Sequence, residues 1–202
     1  MKTNIKLLFL CALAIIGFGC NDDDDGRTAR PVESFNYTFE ENAEGWEGGV
    51  SDYPADWDTS RLEFRFGRTD LPPSVSEDGM AMRISGRNIS DDLFMFMKKQ
   101  VTGLEPNHTY SATFQIELAS QYLEQSAGIG GSPGASVYLK AGGSATEPMP
   151  VEMEEAGNNV RMNIDKGGQS QGGADMMVLG NIGIPGEVSE YQLIQRDNLQ
   201  NP

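Results

Sequence analysis

The sequence has few of the residues from which most catalytic and metal centres are built. It contains two cysteines, Cys11 and Cys20, both near the N-terminus, and one histidine, His108. A disulfide framework and a zinc site built from several His or Cys residues are therefore excluded for the rest of the chain. A Ser-His or Cys-His catalytic arrangement would have to use His108, which lies in a Pro-Asn-His-Thr turn typical of a surface residue. No phosphate-binding loop or dinucleotide fingerprint is present.

Positive charge is also scarce. The 202 residues include 15 Lys+Arg and 30 Asp+Glu, for a formal net charge of -15, and the largest basic cluster is the Lys98–Lys99 pair. Because nucleic-acid backbones are bound by basic patches, we expect no nucleic-acid partner. The length and a hydrophobic content of 38% suit one domain with a modest core.

Helical periodicity is nearly absent, and the best helical candidate is the short Val151–Gly157 segment. Short segments that alternate apolar and polar residues are present instead, separated by Gly, Pro and Asn turn signals, as is typical of half-buried strands. We predict an all-β fold over residues 34–202, an antiparallel β-sandwich of jelly-roll or immunoglobulin-like type. The predicted strands lie in Phe35–Glu40, Arg61–Gly67, Gly79–Ser85, Asp92–Lys99, His108–Ser120, Ala135–Gly142, Val160–Asp165, Asp175–Ile184 and Glu190–Arg196.

The first residues have the composition of a targeting segment. Two lysines, Lys2 and Lys6, accompany the apolar run LLFLCALAII (7–16), and small residues precede Cys20. The run is too short to cross the hydrocarbon core of a bilayer as a helix, which takes about 20 apolar residues. We therefore predict that residues 1–19 are a signal peptide outside the fold, and that residues 20–33 are an acidic, polar tether.

This N-terminal pattern resembles a bacterial lipoprotein signal, in which the cysteine is lipidated and becomes the first residue after cleavage. Gly19 and Cys20 fit that pattern, while Gly17 stands where the family usually has leucine. The acidic run Asp22, Asp23, Asp24 and Asp25 resembles the surface-export signal of Bacteroidetes-type lipoproteins. The resemblance implies an outer-membrane, cell-surface location and contact with the membrane through a lipid on Cys20.

Two further stretches, VTGLEPNHTYSATFQIELAS (101–120) and FNYTFEENAEGWEGG (35–49), are similar to jelly-roll carbohydrate-binding modules. The resemblance implies a glycan ligand and a structural Ca²⁺ near the start of the first strand, where Glu40, Glu41 and Asn42 lie. In such modules a last strand commonly returns beside the first. Because the sequence ends in the polar QRDNLQNP, we expect a domain that is incomplete at its C-terminus, with a first strand open to strand addition.

The segment GWEGGVSDYPADWD (45–58) is the best candidate for ligand binding. It holds both tryptophans of the chain in what its glycines and proline predict to be a loop. Aromatic rings stack on the C–H faces of sugars, and carboxylates accept hydrogen bonds from sugar hydroxyls. The alternative is that a tryptophan packs into the end of the sandwich, since tryptophan is largely buried on average. The candidate ligand-binding residues are Trp46, Tyr53, Trp57, Asp52, Asp56 and Asp58.

These observations predict a non-catalytic, lipid-anchored surface protein that binds a glycan or another extracellular ligand. A second hypothesis is a structural or adhesin-type assembly subunit that uses strand pairing. A third is a glycoside hydrolase, because abundant Asp and Glu could supply a pair of catalytic carboxylates. The sequence leaves the oligomeric state open.

Overall fold

The computed structural model describes the backbone of residues 4–10 and, beyond them, residues 32–128 and 131–200. These residues form twelve β-strands and two short 3-10 helices, and no α-helix. Every ladder between strands is antiparallel, which confirms the all-β, antiparallel prediction. The strands are β1 (Asn4–Leu10), β2 (Glu47–Ser51), β3 (Tyr53–Pro54), β4 (Arg65–Asp70), β5 (Met80–Arg87), β6 (Phe94–Lys98), β7 (Gln115–Ser120), β8 (Tyr138–Gly142), β9 (Pro150–Met153), β10 (Asn159–Met162), β11 (Met176–Asn181) and β12 (Gln192–Asp197).

The strands form one large sheet and three small ones. The large sheet has five strands in the order β12-β7-β1-β5-β4. The small sheets are β3-β10-β9, β11-β8 and β2-β6. The 3-10 helices, Thr59–Leu62 and Glu154–Ala156, follow β3 and β9 respectively.

The large sheet buries apolar side chains on both of its faces, as the period-two pattern of β5 and β7 predicts. On one face, Ile84 and Leu118 pack with Leu139 and Ile182, which come from the β8–β11 region. On the other face, the small residues Ala81 and Ala119 pack against Leu71. The side chains that complete these two clusters include Phe64, Phe66, Met95 and Ile194 on the first face and Val75 and Tyr191 on the second.

Strand β1 lies in the middle of the large sheet, between β5 and β7. Its backbone pairs Leu7 with Ile84, and Phe9 with both Met82 and Leu118. These residues belong to the segment that the sequence predicts to be a signal peptide. A short apolar run suits a buried strand as well as the apolar part of a targeting segment. The removal of residues 1–19 stays a prediction.

The predicted first strand, Phe35–Glu40, is wrong. The segment forms no strand, and Phe39 has a left-handed backbone with a φ of 62°. Its backbone groups are bound by side chains: Glu44 Oε1 accepts hydrogen bonds from the amides of Thr38 and Phe39. Arg68 in turn donates to the carbonyls of Phe39 and Glu40. These bonds take the place of a strand ladder.

Four other predicted elements differ from the structure. The first is Arg61–Gly67, which begins in the 3-10 helix Thr59–Leu62 and reaches β4 only at residue 65. Apolar residues on both faces of the Asp92–Lys99 segment predict a central strand, but β6 forms a two-stranded sheet with β2. The long strand predicted over His108–Ser120 is limited to β7, because residues 108–113 are exposed and offer no buried face. The Val151–Gly157 segment is not α-helical and contributes to β9 and to a single 3-10 turn.

Candidate functional site

The Gly45–Asp58 segment is not one loop, because β2 and β3 both lie within it. The glycines that predicted a loop instead make room for aromatic rings packed on β2. A Cβ atom at Gly48 would lie 2.3 Å from the ring of Phe66, and one at Gly49 would lie 2.6 Å from that of Phe96. A glycine in a strand often marks such a close approach. The candidate ligand-binding residues are consequently divided between separate environments.

Trp46 packs against other aromatic side chains. Its ring meets Tyr37 edge-on at a centroid distance of 5.3 Å and Phe39 at 6.5 Å. Its indole Nε1 is buried and has no hydrogen-bond partner. The ammonium of Lys99 lies over the ring of Tyr37, 4.9 Å from its centroid. These contacts match the alternative in which one tryptophan packs into the protein.

Asp52 is an internal ion-pair residue. Its side chain is 3% exposed, and its carboxylate lies 2.6 Å from Lys166 Nζ and 3.5 Å from Arg161. Its backbone adopts a left-handed φ of 66°, and its amide donates to the carbonyl of Val160. The carbonyl of Asp52 accepts a hydrogen bond from Ser90. The carboxylate is thus committed to internal cations and is not presented to a ligand.

The remaining candidates lie together at the end of β3, in a group that we call the Trp57 turn: Tyr53, Asp56, Trp57, Asp58 and Arg61. The guanidinium of Arg61 lies 4.7 Å from the centroid of the Trp57 ring. Asp56 and Asp58 are exposed, while Trp57 and Tyr53 are half-buried. Sequence reasoning missed Arg61, although its spacing of four residues from Trp57 would have placed the two on one face of a helical turn.

Hydrogen bonds fix the shape of the Trp57 turn. Asp58 caps the following 3-10 helix by accepting a bond of 2.9 Å from the amide of Ser60. The amide of Trp57 donates to the carbonyl of Pro54, and the amide of Ala55 donates to that of Asn158. The turn is therefore held from within and by the neighbouring β9–β10 connection.

Two groups in the turn have shifted acidity. The hydrogen bond from Ser60 lowers the pKa of Asp58, so this carboxyl stays ionised at unusually low pH. Burial raises the pKa of Tyr53, with a further contribution from the charge of Glu152. The turn thus offers an aromatic ring, a fixed cation, a neutral phenol and exposed carboxylates, which together can bind a polyhydroxylated molecule.

The residues proposed for calcium, Glu40, Glu41 and Asn42, are exposed. Asn42 Oδ1 accepts the amide of Glu44, and the carbonyl of Glu40 accepts the guanidinium of Arg68. Two of the oxygens that could bind a cation are thus engaged in hydrogen bonds, and calcium binding at these residues stays a prediction. Within the described ranges, no three His, Cys, Asp or Glu side chains are grouped to hold a metal ion.

A glycine-rich loop, residues 165–175, encloses the ammonium of Lys140. The Lys140 Nζ donates to the carbonyls of Lys166, Gly168 and Gln171. Burial, and then the nearby charge of Lys166, lower the pKa of Lys140. Asp165 closes the loop by accepting the amides of Ala174 and Gly167, which lower its pKa. Sequence reasoning missed this loop, because its glycines alone do not indicate which cation they surround.

The other sequence-predicted positions bear less on the site. His108 lies on the surface in its turn, 3.4 Å from Glu105. Cys20 and Asp22, Asp23, Asp24 and Asp25 lie outside the described residues. Nowhere in the described ranges does the chain form a helix with the length and apolarity needed to span a bilayer.

Comparisons with protein families, with curated proteins and with solved structures found no match to the chain.

Proposed function

We propose that this chain is a non-catalytic, cell-surface protein, anchored by a lipid on Cys20, that binds a glycan through the Trp57 turn. The observation that carries the proposal is the pairing of the Trp57 ring with the Arg61 guanidinium, which lies 4.7 Å from the ring centroid. The exposed residues Asp56 and Asp58 flank Trp57 in the sequence. The face of the ring that Arg61 does not cover would supply a stacking surface for a sugar, and the charged groups would supply hydrogen-bond donors and acceptors for its hydroxyls.

The structure narrows the set of residues that the sequence suggested. Trp46 packs against Tyr37 and Phe39, and the Asp52 carboxylate is bound to internal cations. The proposed contacts are therefore Trp57, Arg61 and the residues beside them. Because the turn is held by backbone hydrogen bonds, little ordering is required when a ligand binds, which favours affinity.

The acidity of Asp58 suits a hydrogen-bond acceptor and does not suit the general acid of a glycoside hydrolase. A glycoside hydrolase needs one carboxyl with a raised pKa, which can protonate the leaving oxygen. The pKa of Asp58 is shifted in the opposite direction. A carboxylate that stays ionised is suited to accepting hydrogen bonds from hydroxyls.

A glycan array tests the proposal with four proteins. We expect the unmodified protein to bind a subset of glycans, and Trp57→Ala and Arg61→Ala to lose that binding by about tenfold or more, corresponding to about 1.4 kcal/mol. Trp46→Phe is the matched control, since it changes the other tryptophan while keeping an aromatic ring in its packed position. Absence of any bound glycan, or equal binding by Trp57→Ala, would refute the proposal.

The surface location has its own test. Cys20→Ala should leave the protein unlipidated and released from the membrane. Replacement of Asp22, Asp23, Asp24 and Asp25 by Asn should preserve lipidation but reduce digestion of the protein by protease added to whole cells. Unchanged membrane attachment of Cys20→Ala would contradict the lipid anchor.

Strand-mediated assembly is a second candidate function. One observation favours it: the centre of the five-stranded sheet is filled by β1, which comes from the predicted signal segment.

A further inference from the structure

The two halves of the large sheet are joined through β1. On one side, β5 pairs with β1 and β4, and on the other side β7 pairs with β1 and β12. Within the described residues, no other strand connects β5 to β7. Without β1, the facing edges of β5 and β7 would be separated by a gap one strand wide, about 10 Å given normal strand spacing.

Processing would open this gap. The inference rests on the proposed function, because cleavage before Cys20 would remove the residues that form β1. The freed edges would then carry rows of unpaired N–H and C=O groups, which favour pairing with another strand. The buried residues Met82, Ile84 and Leu118, which pair with β1, would lose the strand that now lies between them.

The side chain of Arg83 indicates which kind of strand would fill the gap better than β1. Arg83 on β5 lies opposite Leu8 of β1 in the antiparallel register, and Ala119 on β7 is also paired with Leu8. The Nε atom of Arg83 is buried and has no hydrogen-bond partner. The residue paired with Arg83 in the backbone register is a leucine, a residue type whose side chain has no acceptor group. A buried donor without an acceptor is costly, so a strand with a carboxylate at this position would pair better.

The surrounding charge favours the same occupant. Arg65 and Arg68 lie on β4, and Arg83 and Arg87 lie on β5. Arg68 donates to the carbonyls of Phe39 and Glu40, and Arg87 lies 3.6 Å from Glu63. Arg65 pairs with Ser85 in the antiparallel register and therefore shares the face of Arg83. An acidic side chain on this face of a strand inserted beside β5 would complement Arg83 and Arg65, and charge complementarity of this kind selects partners and sets register.

We propose that the gap between β5 and β7 is a strand-binding site, which β1 fills in this structure and which an extended segment of a partner protein fills once residues 1–19 are removed. The segment runs antiparallel to both strands. It is apolar at the positions of Leu7 and Phe9, and it carries Asp or Glu at the position of Leu8. Backbone pairing supplies affinity, and the residue opposite Arg83 supplies specificity.

Exchange of β1 tests the proposal on the folded full chain. A specific protease site is placed between residues 21 and 31, and the purified protein is cut so that β1 becomes an exchangeable peptide. Fluorescent peptides with the sequence of residues 4–10 are then added, either unchanged, with Leu8→Glu or with Leu8→Lys. We expect all to compete with β1, the Leu8→Glu peptide to bind about tenfold more tightly than the unchanged one, and the Leu8→Lys peptide to bind least tightly.

Arg83→Met is the matched control, because it keeps a long apolar stem and removes the guanidinium. It should bind the unchanged peptide and lose the preference for Leu8→Glu. The proposal is overturned if no peptide exchanges with β1, if the three peptides bind equally to the unmodified sheet, or if the preference survives Arg83→Met. Self-assembly of the cut chain in place of peptide binding would overturn the assignment to a partner protein. Glycan binding by the same cut protein reports separately on the Trp57 turn.

Discussion

The two ends of the Gly45–Asp58 segment carry the same pair of residue types and use them differently. At the first end, Trp46 packs against aromatic rings and Asp52 is buried against two cations. At the second end, Trp57 lies beside one arginine and Asp58 caps an exposed turn. The difference shows that tryptophan and aspartate do not define a binding site by themselves. Their neighbours in the fold decide whether they stabilise the protein or contact a ligand.

The neighbours that make this difference come from distant parts of the sequence. Arg161 and Lys166, which bind Asp52, follow it by more than a hundred residues. The neighbours of the Trp57 turn are mostly local, and Arg61 is only four residues away. The first end is consequently a tertiary feature, and the second depends largely on one short turn.

The largest effect is expected at the Asp52 ion pair. Lys166→Met should lower the free energy of unfolding by about 3 kcal/mol, because it leaves a nearly buried carboxylate without its closest cation. Urea denaturation measures the change. The double variant with Asp52→Asn should recover most of the loss, since it removes the uncompensated charge and Asn tolerates a left-handed backbone. A loss below about 1 kcal/mol in the single variant would contradict the buried-pair assignment.

The next largest effect is a difference in stability between variants of the two tryptophans. Trp46→Ala should destabilise the fold by about 3 kcal/mol, because it removes a ring packed on Tyr37 and Phe39. Trp57→Ala should cost about 1 kcal/mol or less, mainly from loss of the contact with Arg61. Thermal unfolding of both variants measures the difference. Equal destabilisation by the two changes would remove the distinction between the ends of the segment.

The smallest effect concerns the acidity of Asp58. Its pKa lies below the ordinary value of 3.8, so the stability that its ionised form contributes is fully present above that value. This contribution is lost as the pH falls through the lower pKa of the folded state. Asp58→Asn should therefore show a flatter decline in melting temperature between about pH 4 and pH 2. If the melting temperatures of the two proteins fell in parallel with pH, the ionised Asp58 side chain would not stabilise the fold through its cap.

The sequence predicted the fold class because the strands that build the large sheet have clear periodicity. Ile84 and Leu118 alternate with residues of the opposite face, as expected. The Phe35–Glu40 strand failed although its pattern was equally clear, because Glu44 and Arg68 bind its backbone groups. Strand β2 was missed for the reverse reason: its glycines leave space for Phe66 and Phe96 and carry no alternating pattern.

The candidate site was predicted only in part. The Trp57 turn lies in the tryptophan-rich segment that the sequence singled out, and its role in binding stays a prediction. The sequence could not separate Asp52 and Trp46 from this turn. Their contacts with Lys166, Arg161 and Tyr37 follow from the packing of distant segments, which composition and spacing do not encode.

The central claim is that Trp57, and not Trp46, contacts the ligand. Because the chain has only two tryptophans, Trp46→Phe leaves Trp57 as the sole indole, and Trp57→Phe leaves Trp46. Both proteins are titrated with a glycan that the array identifies, and tryptophan fluorescence is recorded. We predict a saturable change in the protein that retains Trp57 and none in the protein that retains Trp46. A saturable change confined to the protein that retains Trp46 would contradict the account.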